Sequence, residues 1–171
     1  MASMALFFWR IKMEPQYIEH TLDPVYDAHS EILILGTMPS PKSRQTGFYY
    51  GHPQNRFWKV LAAVFNEPVP ETIGEKKEFC HRNHIALWDT LKSCRITGAS
   101  DATIKDPVGN DIEGLLKKTR ISRVFVTGRK AEQYYNECCH APVPCQYLPS
   151  PSPANRQISF DDLKKAYAIL V

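Results

Sequence analysis

Four short apolar runs constrain the fold of this chain most strongly. They cover residues 31–36, 84–89, 122–127 and 144–148, and segments with a helical pattern lie between them. Strands that alternate with helices need crossover connections, and such connections produce a parallel sheet with helices on both faces. We therefore predict an α/β fold, a three-layer α/β/α sandwich around a central four-stranded, mainly parallel sheet.

Apolar spacing and capping residues predict where the helices lie. Thr72 and Glu75, for example, have the spacing of a capping box at the start of a helix. The predicted helices cover residues 55–66, 72–80, 128–138 and 159–169, and a further helix begins at residue 110.

Three predicted loops follow the carboxyl ends of strands. They cover residues 36–54, 90–109 and 149–156. Because ligands of open α/β sheets bind at this edge of the sheet, the topology predicts a site where these loops meet.

The length of 171 residues suits one domain with a substantial core. We predict a single domain over residues 13–171 and a non-structural extension over residues 1–12, with Met1, Met4 or Met13 as the start. No apolar run reaches the ~18 residues of a membrane-spanning helix, and the first residues lack the pattern of a signal peptide. Five cysteines without an export signal indicate a reducing compartment, so we predict a cytoplasmic protein, associated with the nucleoid if bacterial.

The cysteines do not have the spacing of metal ligands. Cys138, Cys139 and Cys145 are close in sequence, but there is no C-x-x-C motif, and His81 and His140 make no ligand spacing with them. Buried free thiols are the better interpretation, and we predict no metal and no cofactor.

Acidic residues are absent from long segments of the chain. Residues 32–66, 115–130 and 138–160 contain none, although the net charge is only +3. Two of these segments include predicted ligand loops, and loops without negative charge suit an approach to phosphates. Chance segregation on a solvated surface remains the alternative for any one segment.

Residues 47–58, with the sequence GFYYGHPQNRFW, form the most specific segment. Phe48 or Tyr50 can stack on a flat base, and His52 can bind a phosphate or a base. Core packing explains at least one of the aromatic residues equally well. Asn55 stands where a helix N-cap is expected, so capping alone would also explain it.

Two further loops have patterns that suit a ligand. Residues 36–40 (GTMPS) form a tight turn after a strand, and successive backbone amides there can bind a carbonyl or a phosphate. Residues 149–156 (PSPSPANR) place two serines on a strip that proline stiffens. A plain turn and a rigid connector are the alternatives. No catalytic triad or paired carboxylates stand out, and Asp89, at a strand end, has no obvious partner.

These segments together resemble the hypoxanthine-DNA glycosylases of the uracil-DNA glycosylase superfamily. The resemblance runs from about Leu22 to the end of the chain, and it is the combination of blocks that is specific. The blocks that carry it are residues 36–40, 49–58, 88–94, 110–112 and 148–155. The fold of that superfamily is an α/β/α sandwich like the one predicted above.

The resemblance implies a monofunctional DNA glycosylase of base excision repair. Such an enzyme flips a deaminated base, hypoxanthine above all, out of DNA and hydrolyses its N-glycosidic bond, which leaves an abasic site. Its partner would be double-stranded or single-stranded DNA with a deaminated base, and we predict a monomer that needs no cofactor.

The resemblance also implies roles for individual residues. Asn55 and Asn110 match catalytic asparagines of the family. With the stacking argument added, the predicted base-binding residues are Gly36, Thr37, Met38, Pro39, Phe48, Tyr50 and His52. The predicted DNA-binding residues are Ser40, Ser150, Pro151, Ser152, Pro153, Ala154, Asn155 and Arg156.

Three positions depart from the pattern of the family. Met38 stands where many members carry Asn or Asp, which removes the usual water-activating position and moves that role to Asn55. Pro151 replaces a Thr, and Gly109 stands where a Pro is common. These departures affect the expected substrate range and rate more than the reaction.

Other functions stay open on the sequence alone. A uracil or thymine mismatch glycosylase of the same superfamily would need only a different pocket shape. A second alternative is a non-catalytic module that binds damaged DNA, and the scarcity of acid–base groups is the best argument for it. A hydrolase of free nucleosides would leave the loop at residues 149–156 with little to do.

Overall fold

The computed structural model describes residues 13–171, so the predicted extension over residues 1–12 lies outside the described residues. The strands are β1 (Gln16–Glu19), β2 (Ile32–Gly36), β3 (Ile85–Asp89), β4 (Leu91–Ile96), β5 (Lys105–Gly109), β6 (Arg123–Thr127) and β7 (Cys145–Leu148). The helices are α1 (Pro41–Thr46), α2 (Phe57–Val64), α3 (Ile73–Arg82), α4 (Ile112–Lys117), α5 (Arg129–Tyr134) and α6 (Phe160–Tyr167). A π-helical turn, Tyr135–Cys139, extends α5, and 3-10 turns cover Asp101–Thr103 and Ala168–Leu170.

The main sheet confirms the predicted four-stranded core of the fold. Its strand order is β3-β2-β6-β7, and all three pairings are parallel. Gly36 at the end of β2 pairs with Asp89 at the end of β3. The two residues therefore lie side by side at the carboxyl edge of the sheet.

Helices cover both faces of this sheet because both faces are apolar. Alternate residues of β2 point to opposite faces, so that Ile34 belongs to one core cluster and Leu33 to the other. Side chains of α2, α3 and α6 pack in the first cluster, and those of α4 and α5 pack in the second. The three-layer α/β/α sandwich is thus confirmed.

The segment at residues 90–109 is not a loop, contrary to the prediction. It contains β4 and β5, which form an antiparallel sheet with β1 in the order β1-β4-β5. Only Thr90 separates β3 from β4, so the sequence offers no turn to mark a new strand. The partner strand β1 lies about 70 residues earlier in sequence. Because the two strands are so far apart in the chain, no local sequence pattern indicates that they pair.

Two helix starts differ from the prediction. Arg56, not Asn55, occupies the N-cap position of α2, although the Asn55 Oδ1 atom accepts a hydrogen bond of 2.9 Å from the Phe57 amide. At α4 the N-cap is Asp111, whose side chain accepts from the Gly114 amide. Sequence spacing also missed α1, which has Ser40 as its N-cap. Within residues 13–171, no helix is long and apolar enough to cross a membrane.

Candidate active site

A pocket of about 470 Å³ opens at the carboxyl edge of the main sheet. It is lined by the turn at residues 36–40, by the loop at residues 149–156 and by the segment that joins β4 to β5. The topology thus brings together segments that are far apart in sequence. Twelve of the predicted site residues line the pocket: Gly36, Thr37, Met38, Pro39, Ser40, Tyr50, Asn55, Ser150, Pro151, Ser152, Ala154 and Asn155.

The other predicted site residues do not line this pocket; they are Phe48, His52, Asn110, Pro153 and Arg156. Phe48 is only 5% exposed, and its ring stacks against Trp58 with centroids 6.1 Å apart. Core packing therefore accounts for Phe48. The Nδ1 atom of His52 accepts a hydrogen bond of 3.1 Å from the Gln54 amide, which is a local contact within the loop.

Asn110 is buried away from the pocket lining. Its side-chain amide donates hydrogen bonds of 2.9 and 3.0 Å to the carbonyls of Asp89 and Leu91. Because these carbonyls flank Thr90, the Asn110 side chain stabilises the bend between β3 and β4. That bend carries Asp89 into the pocket lining.

Tyr50 has the geometry of a stacking platform. Its ring lies parallel to Phe57, with centroids 3.6 Å apart and an interplanar angle of 12°. Phe57 is fully buried, whereas Tyr50 lines the pocket, so one face of the Tyr50 ring is packed and the other is available to a ligand. The backbone φ of Tyr50 is +53°, a left-handed conformation that is strained for a bulky residue. Burial, followed by the charge of Asp89, raises the pKa of Tyr50, so the phenol stays neutral.

Because the resemblance to DNA glycosylases implies a flipped base in this pocket, we expect Tyr50→Ala to weaken binding of a duplex that carries such a base by about 5- to 150-fold, since stacking of a base on an aromatic ring contributes about 1–3 kcal/mol. Tyr50→Phe keeps the ring and loses only the 3.4 Å contact to the Thr127 hydroxyl, so its affinity should stay near the wild-type value. Fluorescence anisotropy with an uncleavable deoxyinosine duplex measures both. Equal affinity of Tyr50→Ala and the wild-type chain would contradict the stacking role.

Asn55 presents a free amide donor to the pocket. Its Oδ1 atom is occupied by the Phe57 amide, which fixes the orientation of the side chain. Among the residues that the structure describes, none accepts a hydrogen bond from its Nδ2 atom. Asn55 lines the pocket, so this NH₂ group can bind water or a base there.

Arg56 connects the loop at residues 149–156 to the start of α2 through hydrogen bonds. Its guanidinium donates hydrogen bonds of 2.9 and 2.6 Å to the carbonyls of Asn155 and Ile158. Its own amide donates to the Pro151 carbonyl at 3.1 Å. Arg56 therefore fixes the geometry of the loop at residues 149–156 and is not free to bind a ligand with its guanidinium group.

The loop at residues 149–156 is also held by bonds within itself. The hydroxyl oxygens of Ser150 and Ser152 accept from the amides of Ser152 and Ala154, both at 3.2 Å. The Asn155 side chain donates to the Ser150 carbonyl at 3.0 Å. Both serine O–H groups keep a donor that can reach an oxygen of a phosphate. Arg44 of α1 adds a cation to the same pocket lining.

A buried His–Asp pair in this site was missed by the sequence interpretation. The His20 Nε2 atom lies 2.8 Å from Oδ2 of Asp89, and the two side chains are only 2% and 6% exposed. The other oxygen, Oδ1, lies so close to Gly36 that a Cβ atom added there would be 2.5 Å away. Asp89 was noted without a partner, because His20 follows β1, which has no local sequence signal.

Asp101 is a second carboxyl group in the pocket lining that the sequence interpretation missed. It opens the 3-10 turn between β4 and β5, inside the segment predicted as a loop. Burial, and then the charge of Asp89, raise the pKa of Asp101, while the neighbouring Thr37 side chain lowers it. The net direction is upward, which favours the protonated form relative to an ordinary aspartate.

The cysteines lie outside the pocket lining. All five are free thiols, and burial raises the pKa of Cys139 to about 12. Over residues 13–171, no three side chains of His, Cys, Asp or Glu come together in an arrangement that could hold a metal ion.

An α/β/α sheet with a base-sized pocket, an aromatic platform and a rigid serine loop at its strand ends defines a protein that handles nucleotides or nucleic acid. The family model for the uracil DNA glycosylase superfamily matches residues 24–170. The chain belongs to this superfamily of DNA glycosylases. Its predicted class, a DNA repair glycosylase with DNA as substrate, is confirmed by this match and by similar proteins.

Two curated relatives are hypoxanthine DNA glycosylases. The protein from Methanosarcina acetivorans is 35% identical over 144 residues, which are 83% of this chain and 91% of the relative. The protein from Methanosarcina barkeri is 35% identical over 113 residues, or 65% of this chain and 72% of the relative. A solution NMR structure of a candidate uracil DNA glycosylase from Methanosarcina acetivorans has a TM-score of 0.76 and 30% identity. The structural match covers 91% of this chain and 99% of the chain in the NMR structure.

Proposed function

We propose that this chain releases hypoxanthine from DNA that contains deoxyinosine, as a monofunctional glycosylase that leaves an abasic site. The observation that carries the proposal is one pocket that contains a stacking platform, a free amide donor and a phosphate-binding loop. The names of the two curated relatives support hypoxanthine as the base. We further propose that it acts as a cytoplasmic monomer on double-stranded or single-stranded DNA.

DNA binding would begin at the rim of the pocket. The hydroxyl groups of Ser150 and Ser152 donate to phosphates beside the lesion, and Arg44 adds a positive charge. The rigid geometry of the loop lowers the entropy that binding costs, because Arg56 and Asn155 already hold it in place.

The deaminated nucleotide would then leave the base stack. Flipping costs a few kcal/mol and is easiest for a mispaired or weakly paired base, and hypoxanthine opposite thymine or cytosine pairs weakly or in wobble geometry. The base enters the pocket and stacks on the free face of Tyr50. Backbone amides of the turn at residues 36–40 bind its carbonyl edge and stabilise the negative charge that develops on the leaving base.

Cleavage of the N-glycosidic bond would pass through an oxocarbenium-like sugar. The NH₂ group of Asn55 orients the attacking water or holds the base, and the neighbouring DNA phosphates stabilise the positive sugar. Within residues 13–171, no lysine lines the pocket, so the site offers no amine for a Schiff base with the abasic sugar. This favours hydrolysis without strand cleavage.

The proposed set of functional residues is smaller than the predicted one. Asn110 acts through the β3–β4 bend as a supporting residue, since both of its amide hydrogen bonds go to backbone carbonyls. Phe48 supports the core beside Tyr49. His52, Pro153 and Arg156 lie outside the pocket lining and are proposed only as contacts to the DNA that flanks it.

The decisive experiment is release of base from duplex oligonucleotides that carry one deoxyinosine, one uracil or one thymine mismatch, followed by hot alkali to reveal abasic sites. We expect cutting at deoxyinosine in single turnover. Cutting only at uracil or mismatched thymine would show that the proposed substrate is wrong, and it would still fit a glycosylase of the same superfamily. Salt-sensitive binding of all duplexes without an abasic product would favour the non-catalytic module instead.

A further inference from the structure

We infer that Asp101 is a catalytic acid that donates a proton to ring nitrogen N7 of the leaving purine. The inference rests on the proposed function, since it assigns a role toward hypoxanthine. Asp101 lies in the wall of the same pocket as Asn55 and Tyr50, and no basic side chain within residues 13–171 forms an ion pair with it. Its carboxyl group is thus available to a ligand.

The depth of the two pocket carboxyl groups assigns them to different parts of a purine. The Asp89 side chain is 6% exposed and lies against Gly36, at the floor of the pocket. Asp101 is only half-buried, so it lies nearer the mouth. The sugar is attached to N9 and must remain at the mouth, which places the five-membered ring with N7 at the level of Asp101. A pyrimidine also places a ring at that level, but this ring has no nitrogen at the position of N7 to accept the proton.

Asp101 is also held next to the turn that receives the base. Asp101 lines the same pocket as Thr37, which is the second residue of that turn. Asp101 is therefore part of the wall of the pocket that would receive the base.

The surroundings of Asp101 favour its protonated form. Burial and the Asp89 carboxylate raise the pKa of Asp101, and the neighbouring Thr37 side chain and the charge of Lys130 oppose them. Oδ2 of Asp89 is already paired with His20 at 2.8 Å, whereas Asp101 has no basic partner among residues 13–171. The other titratable groups that face Asp101 or line the same wall are Cys94 of β4, Tyr134 of α5 and Arg44 of α1.

In the proposed step, Asp101 protonates the purine while the N-glycosidic bond breaks. The C1′–N9 bond breaks and its electron pair goes to the purine, while the Asp101 O–H group gives its proton to N7. Hypoxanthine then leaves as a neutral molecule with hydrogen on N7, and Asp101 becomes a carboxylate. Water adds to C1′ of the oxocarbenium-like sugar and loses a proton, which returns to Asp101 through solvent.

The test is the pH dependence of single-turnover release from deoxyinosine by the wild-type chain and by Asp101→Asn. A general acid contributes about 100-fold or more. We expect the variant to be about 100-fold slower at low pH, where Asp101 is protonated in the wild-type chain. The difference should shrink as the pH rises through the pKa of Asp101, because the wild-type acid then loses its proton. A structural defect would slow the variant equally at every pH.

Matched variants separate this role from a general loss of charge. Asp106→Asn removes a carboxylate from the same small sheet, where the Asp106 side chain is 80% exposed, and its pH profile should match the wild type. Asp101→Glu should recover part of the low-pH activity. Rates of Asp101→Asn within threefold of the wild type, or a loss that is the same from low to high pH, would overturn the inference. A wild-type chain that cuts no deoxyinosine would overturn the proposed substrate instead.

Discussion

We expect the Asn55→Asp variant to release hypoxanthine from deoxyinosine about 100- to 1000-fold more slowly than the wild-type chain. This is the effect of removing one positioned hydrogen-bond donor from an active site. Aspartate keeps an oxygen for the Phe57 amide, which Asn55 now binds at 2.9 Å, so the start of α2 should stay intact. What it removes is the NH₂ group that points into the pocket, and it adds a negative charge beside the leaving base.

Gln54→Glu is the matched control for this variant. It makes the same change from amide to carboxylate one residue earlier, at an exposed position outside the pocket lining. Single-turnover rates and thermal unfolding should be recorded for both variants. Asn55→Asp with the rate of the wild-type chain and an unchanged midpoint of unfolding would remove Asn55 from the mechanism.

We expect His20→Ala to lower the free energy of unfolding by about 3 kcal/mol, because removing one partner of a buried pair leaves the other charge without compensation. His20 and Asp89 are 2.8 Å apart with side chains only 2% and 6% exposed, so water cannot easily replace the lost contact. The freed Asp89 should also shift against Gly36, and base release should slow with it.

Urea unfolding of a double-mutant cycle measures the coupling between the two side chains. The losses of unfolding free energy in His20→Ala and Asp89→Ala should not be additive. The double variant should lose less than the sum of the losses in the two single variants. His29→Ala, at an exposed histidine, should change the stability by less than about 0.5 kcal/mol. Additive effects at His20 and Asp89 would show that the pair contributes nothing as a unit.

The sequence was sufficient wherever the structural cause is local. The four parallel strands follow from short apolar runs, and the start of α3 follows from the capping box of Thr72 and Glu75, both of whose hydrogen bonds are present. The motif segments that reach the pocket are those that follow β2 and β7, because a parallel sheet brings the ends of its strands together. The resemblance to the superfamily added the reaction to this placement.

Tertiary structure decided what depends on distant pairing. The β1–β4 pairing brings His20 to Asp89 across 69 positions of sequence, and no local pattern encodes such a contact. The same small sheet supports the turn that places Asp101 in the pocket. Packing also separated residues that look alike in sequence. Phe48 and Tyr50 are two positions apart, but one packs in the core and the other lines the pocket.

The α/β/α class, the edge of the sheet where ligands bind and the resemblance to the family could thus be inferred from the sequence alone. The folded chain was needed to show that Asn55, and not Asn110, lines the pocket, and that Asp89 and Asp101 lie beside it. Periodicity and capping act over a few residues and can be read directly from the chain. Burial, charge pairing and the direction of a side chain depend on groups brought together by the whole fold, so they become visible only in three dimensions.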